Sequence, residues 1–420
     1  MAPPLLLGCI ADDFAGATAL AGRLVRAGMR VLLTVGVTDD PVDDADAVVV
    51  ALRTRTAPAP QAVAQSLRAL DRLRALGCRQ CYFKIGSTFD STPAGNIGPV
   101  AEALMDALGT TLCCVTPALP EHGRTVYKGY LFVGDRPLDE SAMREHPLTP
   151  MTDANLLRVL QAQCRGKVGL VEHQVVRGGA APIHARIRQL QDAGCRFAVV
   201  DALCHEDLMD LGRAVAGMPL AVGSSGLATG LPQNHDIRPS FAAAELPPAA
   251  GARAIVSGSC SEATRRQVND FIERGLPALG IAPLDIAAGR DVVGQALAWA
   301  TPLLGRQPVL VHSCTPPEAV RELQRRLGAG EAGALVERAL AAIARGLVER
   351  GVGQLVVAGG ETAGAAVQAL DVRQLRIGPQ IVPGVPWCHA RSGACGHGLH
   401  LALKPGSSGT TDFFGKAFPP

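Results

Sequence analysis

The sequence has no long hydrophobic segment, no block of like charges and few aromatic residues. No run approaches the roughly 20 consecutive apolar residues that span a bilayer, which argues against a transmembrane protein. Lys plus Arg total 40 and Asp plus Glu total 38, a net charge of +2, so the charge indicates neither nucleic-acid nor membrane partners. Aromatic residues make up 4% of the chain, and Ala, Val and Leu are therefore expected to fill the core.

Two phosphate-binding signatures are also missing. The sequence contains no G-x-x-x-x-G-K-[ST] run, which excludes a P-loop protein, and no G-x-G-x-x-G after an early strand, which weakens a dinucleotide-binding interpretation. Residues 1–10 lack a basic segment, and the apolar run that begins there ends at Asp12 and Asp13, so we interpret it as a first strand rather than a signal peptide. Twelve cysteines without a secretion signal favour reduced thiols and a cytoplasmic protein.

Short apolar runs alternate with amphipathic or alanine-rich segments along the chain, and this alternation is typical of parallel sheets covered by helices. The predicted strands are 5–10, 30–37, 47–52, 80–84, 111–116, 168–172, 196–201, 253–257, 280–286, 308–312, 353–358 and 399–404, with a hairpin at 124–133. The predicted helices are 15–28, 60–76, 97–108, 154–164, 182–193, 261–274, 290–300, 331–350 and 362–370.

The periodicity stops near the middle of the chain. Residues 233–252 are rich in Pro, Ala, Asn and Ser, a composition typical of a linker. We therefore predict an α/β protein in which two α/β domains with mainly parallel sheets face each other across a cleft. Their bounds are 1–232 and 253–420, and a length of 420 residues allows each its own core.

Three loops of small residues follow predicted strands in the second half, at 257–261, 359–362 and 405–409. Glycine permits close backbone approach, and Ser or Thr adds hydroxyl donors, so together the loops could surround a polyphosphate. The apolar strand, the Gly359-Gly360 pair and the helix after it would also direct N–H groups at an anion. Each loop alone is equally compatible with an ordinary strand-to-helix turn, so the residues leave a nucleotide site open.

The first half carries charged residues at its strand ends. Asp12 and Asp13 follow the first strand; one of them suits a helix N-cap, which leaves the other free to bind a hydroxyl, hold a metal or act as a base. Arg53 and Arg55 follow the third strand, where a guanidinium could bind a carboxylate bidentately. Lys84 ends the fourth strand and needs a partner there.

The loop after Lys84 supplies further polar side chains, Ser87, Thr88 and Asp90. The simplest structural interpretation pairs Lys84 with Asp90 in a salt bridge. The alternative is that Lys84 faces a ligand together with Ser87.

Two groups of cysteines and histidines have the residue types of metal sites. Cys78-Arg79-Gln80-Cys81 is a single CxxC without a second pair, which argues against structural zinc. The second group matches no zinc spacing, and we interpret it as a solvated loop; no metal ligands are therefore predicted. This group consists of Cys388, His389, Cys395, His397 and His400.

Taken together, these stretches resemble the four-carbon acid sugar kinase family over nearly the whole chain. Residues 10–18 (IADDFAGAT) resemble the family's opening I-A-D-D-x-T-G-A-x, and residues 359–362 are similar to its G-G-[DE]-T. Residues 403–414 (LKPGSSGTTDFF) resemble its closing L-K-S-G-N-F-G-x-x-D-F-F. Residues 84–100 and 116–136, continued through 146–153, resemble the 3-oxo-tetronate kinase branch.

The resemblance implies a sugar-acid-binding N-terminal domain, an ATP-binding C-terminal domain and the use of Mg²⁺. It implies transfer of the γ-phosphoryl group to the C4 hydroxyl of a 3-oxo-tetronate. Asp12 and Asp13 would then be catalytic, and Arg53, Lys84 and Ser87 would bind the acid. The residues implied to hold the nucleotide are Ser257, Ser259, Gly359, Gly360, Glu361, Thr362 and Gly406.

Some positions depart from the family pattern. Ala15 stands where Thr is usual, and Ile85-Gly86 replaces a more frequent Tyr-Cys pair. Pro405, Ser407 and Ser408 replace Ser, Asn and Phe, and a proline removes one N–H donor from the closing loop.

Two other functions stay open at the sequence level. One is a kinase of a plain tetronate such as D-threonate or D-erythronate, and the other is a non-catalytic sensor of sugar acids that binds nucleotide. The partner in each case is a small molecule, and a homo-oligomer is compatible with the sequence.

Overall fold

The computed structural model describes residues 5–146, 148–313, 325, 329–394, 397–406 and 408–418. The chain divides into two compact units, Met1–Ala244 and Glu245–Pro420, called here the N-terminal and C-terminal units. Among the described residues, no helix combines the length and apolar composition needed to cross a membrane. The ten cysteines that the structure describes are free thiols.

The N-terminal unit is built on a parallel sheet whose strands lie in the order β2-β3-β1-β4-β11-β5-β10-β9. These strands are β1 Leu7–Ala11, β2 Val31–Val35, β3 Ala47–Ala51, β4 Gln80–Lys84, β5 Cys113–Thr116, β9 Lys167–Val171, β10 Cys195–Val200 and β11 Leu220–Gly223. All five residues of β1 are buried, because helices cover both faces of the sheet.

The helices of this unit form two series of contacts. They are α1 Phe14–Arg26, α2 Ala59–Ala75, α3 Ile97–Leu108, α4 Leu156–Gln161, α5 His173–Val176, α6 Ala180–Asp192, α7 His205–Ala214 and α8 Ser225–Ala228. Helices α1, α8, α7, α6 and α5 contact one another in series, and α2, α3 and α4 form the second series. Right-handed crossovers place the two series on opposite faces of the sheet.

This topology creates a switch point between β1 and β4. The connection from β1 leads through α1 to β2, whereas that from β4 leads through α3 to β5 on the other side. Connections that diverge from two neighbouring parallel strands leave a crevice beyond their carboxyl ends, where ligands of open α/β sheets bind.

The predicted hairpin is confirmed as β6 Arg124–Tyr127 and β7 Tyr130–Val133, which pair antiparallel. Its two turn residues, Lys128 and Gly129, have φ angles of 51° and 76°, as a tight hairpin turn requires. A short β8 Arg136–Pro137 completes this second sheet.

The C-terminal unit has a sheet in the order β13-β14-β12-β15-β18-β17-β16. Its strands are β12 Ala252–Ser257, β13 Ala278–Gly280, β14 Val309–His312, β15 Val352–Ala358, β16 Gln374–Val382, β17 Val385–Arg391 and β18 Gly398–Lys404. The first five strands of that order are parallel, and β17 and β16 add an antiparallel pair. The predicted α/β class with mainly parallel sheets is confirmed.

The helices of the C-terminal unit are α9 Glu262–Glu273, α10 Pro283–Ala287, α11 Val292–Ala300, α12 Ala329–Glu349, α13 Gly360–Ala369 and α14 Phe413–Lys416. Phe413 and Phe414 of α14 are buried in a core that includes Ile255 of β12 and Val356 of β15. The last described residues therefore belong to the folded unit.

Two expectations about local structure are wrong, and two strands were missed. The predicted strand 280–286 ends at Gly280, because Pro283 starts helix α10, and proline favours the first helical position. Residues 387–391 and 398–400 form neighbouring antiparallel strands rather than a solvated loop. Strands β11 and β16 were not predicted.

Candidate active site

The carboxyl ends of β1, β3 and β4 bring the predicted acidic and basic residues of the N-terminal unit together. Ala11 of β1 lies beside Ala51 of β3 and beside Lys84 of β4. Asp12 and Asp13 follow β1 directly, and Lys84 Nζ lies 3.9 Å from Asp12 Oδ1 and 3.5 Å from Asp13 Oδ1. This cluster lies at the switch point of the sheet.

Arg55 completes the cluster. Its Nε donates to Asp12 Oδ2 at 2.9 Å and its Nη2 to Asp12 Oδ1 at 2.8 Å, a bidentate pair. Nη2 is also 2.9 Å from Asp13 Oδ1, and Nη1 is 3.6 Å from Asp90 Oδ2. Burial opposes the charge of the guanidinium, but the three carboxylates raise the Arg55 pKa above its usual value.

These contacts correct two interpretations of the sequence. Asp90 pairs with Arg55, so the salt bridge between Lys84 and Asp90, which the sequence left open as a structural alternative, does not form. The aspartate that does not cap the helix is also not free, because Arg55 holds both oxygens of Asp12, a residue that is 3% exposed.

Asp13 is the accessible carboxylate of the pair. It is the N-cap of α1, and its Oδ1 accepts the Gly16 N–H at 2.8 Å. Its Oδ2 makes no hydrogen bond within the described ranges, and the side chain is 28% exposed. One oxygen therefore fixes the side chain while the other can meet a ligand.

Gly16 makes room for Lys84. A Cβ at this position would lie 1.9 Å from Lys84 Nζ and 2.1 Å from Asp13 Oδ1. The ammonium group, whose side chain is 6% exposed, thus packs directly against the first turn of α1. In the motif D-D-x-x-G, the glycine is therefore required for steric reasons, and the aspartates for their charge.

The three predicted glycine and serine loops of the C-terminal unit also lie side by side. They follow β12, β15 and β18, which are consecutive parallel strands. Ser259 lies where they meet: a Cβ on Gly359 would be 3.2 Å from its backbone N, and a Cβ on Gly406 would be 2.4 Å from its Oγ. Only residues without side chains fit these two positions.

The loop after β12 is rich in hydroxyl groups. Thr264 Oγ1 donates to Ser259 Oγ at 3.1 Å, and Ser261 Oγ donates to the Gly406 carbonyl at 2.7 Å. Ser257 is fully buried, and its Oγ has no hydrogen-bond partner among the described residues. A buried hydroxyl without a partner is costly, and a bound ligand would satisfy it.

The glycine pair after β15 starts helix α13. Gly359 has φ 123°, a conformation suited to glycine, and no side chain caps the helix at this position. Glu361 is exposed in the first turn, Thr362 is 3% exposed, and an added Cβ on Gly360 would meet no atom within 4 Å. The uncapped N–H groups and the open space at Gly360 favour an anion.

Comparisons with known proteins match both units. A family model described as "Sugar-binding N-terminal domain" matches residues 7–231, and one described as "Nucleotide-binding C-terminal domain" matches residues 254–414. The 3-oxo-tetronate kinase of Pseudomonas fluorescens is 53% identical over 99% of this chain and 97% of its own length. The chain belongs to the four-carbon acid sugar kinase family.

Two further relatives support this placement. The 3-oxo-tetronate kinase of Burkholderia multivorans is 53% identical over 98% of this chain and 96% of its own. A crystal structure of a Haemophilus influenzae protein is 39% identical, with a TM-score of 0.88 and coverage of 98% of both chains. The resemblance to the 3-oxo-tetronate kinase branch, which the sequence motifs predicted, is confirmed.

The boundary between the two compact units lies directly after Ala244. That division and the unmatched residues 232–253 both fall in or around the segment that we predicted as a linker. The assignment of 233–252 as a linker stays a prediction, since short 3₁₀ helices occupy Pro232–His235 and Phe241–Ala244.

The other two predicted acid-binding residues are Arg53 and Ser87. Both lie at the carboxyl ends of the strands, but outside the cluster of ion pairs. Arg53 is exposed two residues after β3, and Ser87 is half-buried three residues after Lys84. Neither side chain makes a hydrogen bond or ion pair within the described ranges. Both stay predictions.

The sequence did not reveal that Arg55 is the centre of the ion-pair cluster, nor what Asn96 does. Asn96 is 4% exposed, and its Nδ2 donates to the carbonyls of Thr54, Arg55 and Ala57 at 2.6, 3.3 and 2.9 Å. It thereby fixes the segment that carries Arg55. The signal was a lone asparagine in a glycine-containing loop, which on its own indicates only a turn.

Four of the five members of the cysteine and histidine cluster lie among the described residues. Within the part of the chain that the structure describes, no group of three or more His, Cys, Asp or Glu side chains could hold a metal ion. His389 and His400 pair across β17 and β18 with ring centroids 5.2 Å apart. Cys395 lies outside the described residues.

Proposed function

We propose that this chain is an ATP-dependent kinase that phosphorylates the C4 hydroxyl of a 3-oxo-tetronate, giving 3-oxo-tetronate 4-phosphate and ADP. The observation that carries the proposal is the identity of 53% to a 3-oxo-tetronate kinase over nearly the full length of both chains. The two clusters of site residues support it, since one is charged and the other consists of glycine and hydroxyl residues. We place the acid in the domain 1–232 and the nucleotide in the domain 253–420, in a cytoplasmic protein.

In the N-terminal unit, the acid is bound by positive charge and activated by a carboxylate. Lys84 and Arg53 contribute the cations for the substrate carboxylate and oxo group, and Ser87 adds a hydroxyl. Asp13 Oδ2, which makes no hydrogen bond to the described protein, orients the C4 hydroxyl and accepts its proton. Asp12, fixed by Arg55, holds the guanidinium beside Asp13.

In the C-terminal unit, the residues present fit the phosphates of ATP. The Ser257 hydroxyl has no partner in the described part of the chain, no side chain caps α13, and Gly359 and Gly406 leave space that a Cβ would fill. Bound ATP supplies the γ-phosphoryl group, whose transfer depends mainly on positioning and charge neutralisation. Mg²⁺ is commonly held by phosphates, water and one or two carboxylates, and Glu361 is the carboxylate of these loops.

A coupled assay of ADP release across a panel of four-carbon acids tests this function. We expect turnover with a 3-oxo-tetronate, at least about tenfold lower kcat/KM with D-threonate or D-erythronate, and no ADP without acid. Equal or higher kcat/KM with a plain tetronate would assign the chain to that substrate class instead. Binding of acid and nucleotide without ADP release would indicate the sensor.

Replacing Arg53 tests the cationic part of the acid site. We expect Arg53→Ala to raise KM for the acid about 10- to 100-fold, because a charge-assisted hydrogen bond to the carboxylate is lost, and to leave KM for ATP within about twofold. Steady-state kinetics with each substrate varied in turn measure both constants. An equal rise in both KM values would remove Arg53 from the acid site.

A further inference from the structure

Two buried side chains hold the loop after β18, whose described residues 405–406 and 408–410 are called here the closing loop. Lys404 is 1% exposed, and its Nζ donates to the carbonyls of Pro405 and Gly406 at 3.0 and 3.1 Å. Gln267 of α9 is fully buried, and its Nε2 lies 3.0–3.2 Å from three further carbonyls of the loop. These belong to Ser408, Gly409 and Thr410. The loop carbonyls that the structure describes therefore face inwards.

Peptide geometry turns the opposite groups outwards. The described chain contains no cis peptide bond, so each carbonyl and the N–H of the next residue point in opposite directions. The residues that directly follow an inward-facing carbonyl include Gly406, Gly409 and Thr410. Their N–H groups donate to no acceptor within the described ranges. A loop with several outward N–H groups is a binding surface for an anion.

Lys404 has no carboxylate counterion among the residues that the structure describes. Its Nζ forms no ion pair with a described carboxylate, and its other contacts are Thr264 Oγ1 at 3.3 Å and the rings of Phe413 and Phe414, whose centroids are 5.8 and 6.0 Å away. Burial lowers the Lys404 pKa to about 8, so the ammonium form is retained at neutral pH. An anion on the outer side of the loop would compensate this charge.

We propose that Lys404 and Gln267 are positioning residues which hold the carbonyls of the closing loop inwards, so that its N–H groups face the phosphates of ATP. The proposal rests on the proposed function, in that it takes the C-terminal unit as the nucleotide site. It also explains how the loop can bind phosphate although Pro405 lacks an N–H donor. The N–H that proline removes is not among the outward-facing donors of Gly406, Gly409 and Thr410.

Lys404→Met tests the first of the two side chains, because methionine keeps the length of the chain and removes the ammonium. We expect the Kd for ADP and the KM for ATP to rise about 10- to 100-fold, while the KM for the acid stays within about twofold. Titration calorimetry and steady-state kinetics give these constants. Lys167→Met is the matched control, since Lys167 is an exposed lysine of β9 whose Nζ donates to the Ala193 carbonyl at 3.5 Å, and we expect nucleotide affinity within about twofold of wild type.

Gln267→Met provides the second variant and keeps the test decisive if Lys404→Met does not fold. It removes the donor to three loop carbonyls, and we expect a rise of about tenfold in the Kd for ADP with the same KM for the acid. If the unaltered protein binds no ADP, the proposed function fails first. If it binds ADP and both variants bind it equally well, or if both KM values rise together, the positioning roles are overturned.

Discussion

Asp13→Asn is expected to lower kcat about 10²- to 10⁴-fold, the range that general-base catalysis contributes. Asparagine caps helices about as well as aspartate, so the hydrogen bond from the Gly16 N–H to Oδ1 persists and α1 keeps its N-cap. What disappears is the negative charge at Oδ2, where the C4 hydroxyl would be oriented. The measurement is kcat with both substrates saturating, together with the melting temperature.

Asp291→Asn is the matched control for this variant. Asp291 caps α11 in the same way, with its Oδ1 accepting the Gly294 N–H at 2.8 Å. We expect it to keep kcat within about twofold, because it changes an N-cap and nothing at the strand ends of the N-terminal unit. A kcat for Asp13→Asn within a few-fold of wild type would disprove the role of Asp13 as the base.

Arg55→Met is expected to destabilise the N-terminal unit by about 3 kcal/mol. The substitution leaves Asp12, with a side chain 4% exposed, without its bidentate partner, and loss of one member of a buried ion pair is strongly destabilising. Lys84 at 3.9 Å remains as a weaker counterion, which favours the lower end of the usual range. For a unit of this size we expect the melting temperature to fall by roughly 6–12 °C, measured by scanning calorimetry.

Arg53→Met is the control here, because it removes an exposed guanidinium two residues away. Exposed substitutions of this kind change stability by about 0.5 kcal/mol or less. The double variant Arg55→Met with Asp12→Asn should recover part of the lost stability, since it removes the unpaired charge. Melting of Arg55→Met at the wild-type temperature would show that this ion pair does not support the unit.

The positions of the site residues could be predicted because the strands are short, apolar and fully buried. A polar residue directly after such a strand must lie at the edge of the sheet, and Asp12 and Lys84 were placed correctly on this basis. The same reasoning placed the loops after β12, β15 and β18. Family motifs then identified the chemistry.

The choice between Arg53 and Arg55 could not be made in the same way. The two are separated by Thr54 alone, and residues beyond a strand end no longer follow its alternation of faces. The turn that points Arg55 at Asp12 is fixed by Asn96, which lies 41 residues away from it along the chain. No local pattern encodes a contact of that kind.

The prediction of a loop around His389 and His400 was wrong for a related reason. Its glycines and short spacing favoured a loop, but pairing with a neighbouring strand decides whether such a segment is extended. Residues 374–382 are 16 or more positions from β18 in sequence, and only the assembled sheet shows the order β18-β17-β16.

By itself, the sequence determined the α/β class, the strand ends that carry polar residues and the kinase family, because apolar periodicity and short motifs are local properties. The tertiary structure decided which aspartate is held and which is accessible, and how Lys404 and Gln267 orient the closing loop. Those outcomes depend on side chains from distant segments competing for the same hydrogen bonds, and that competition takes place only after the segments have packed together.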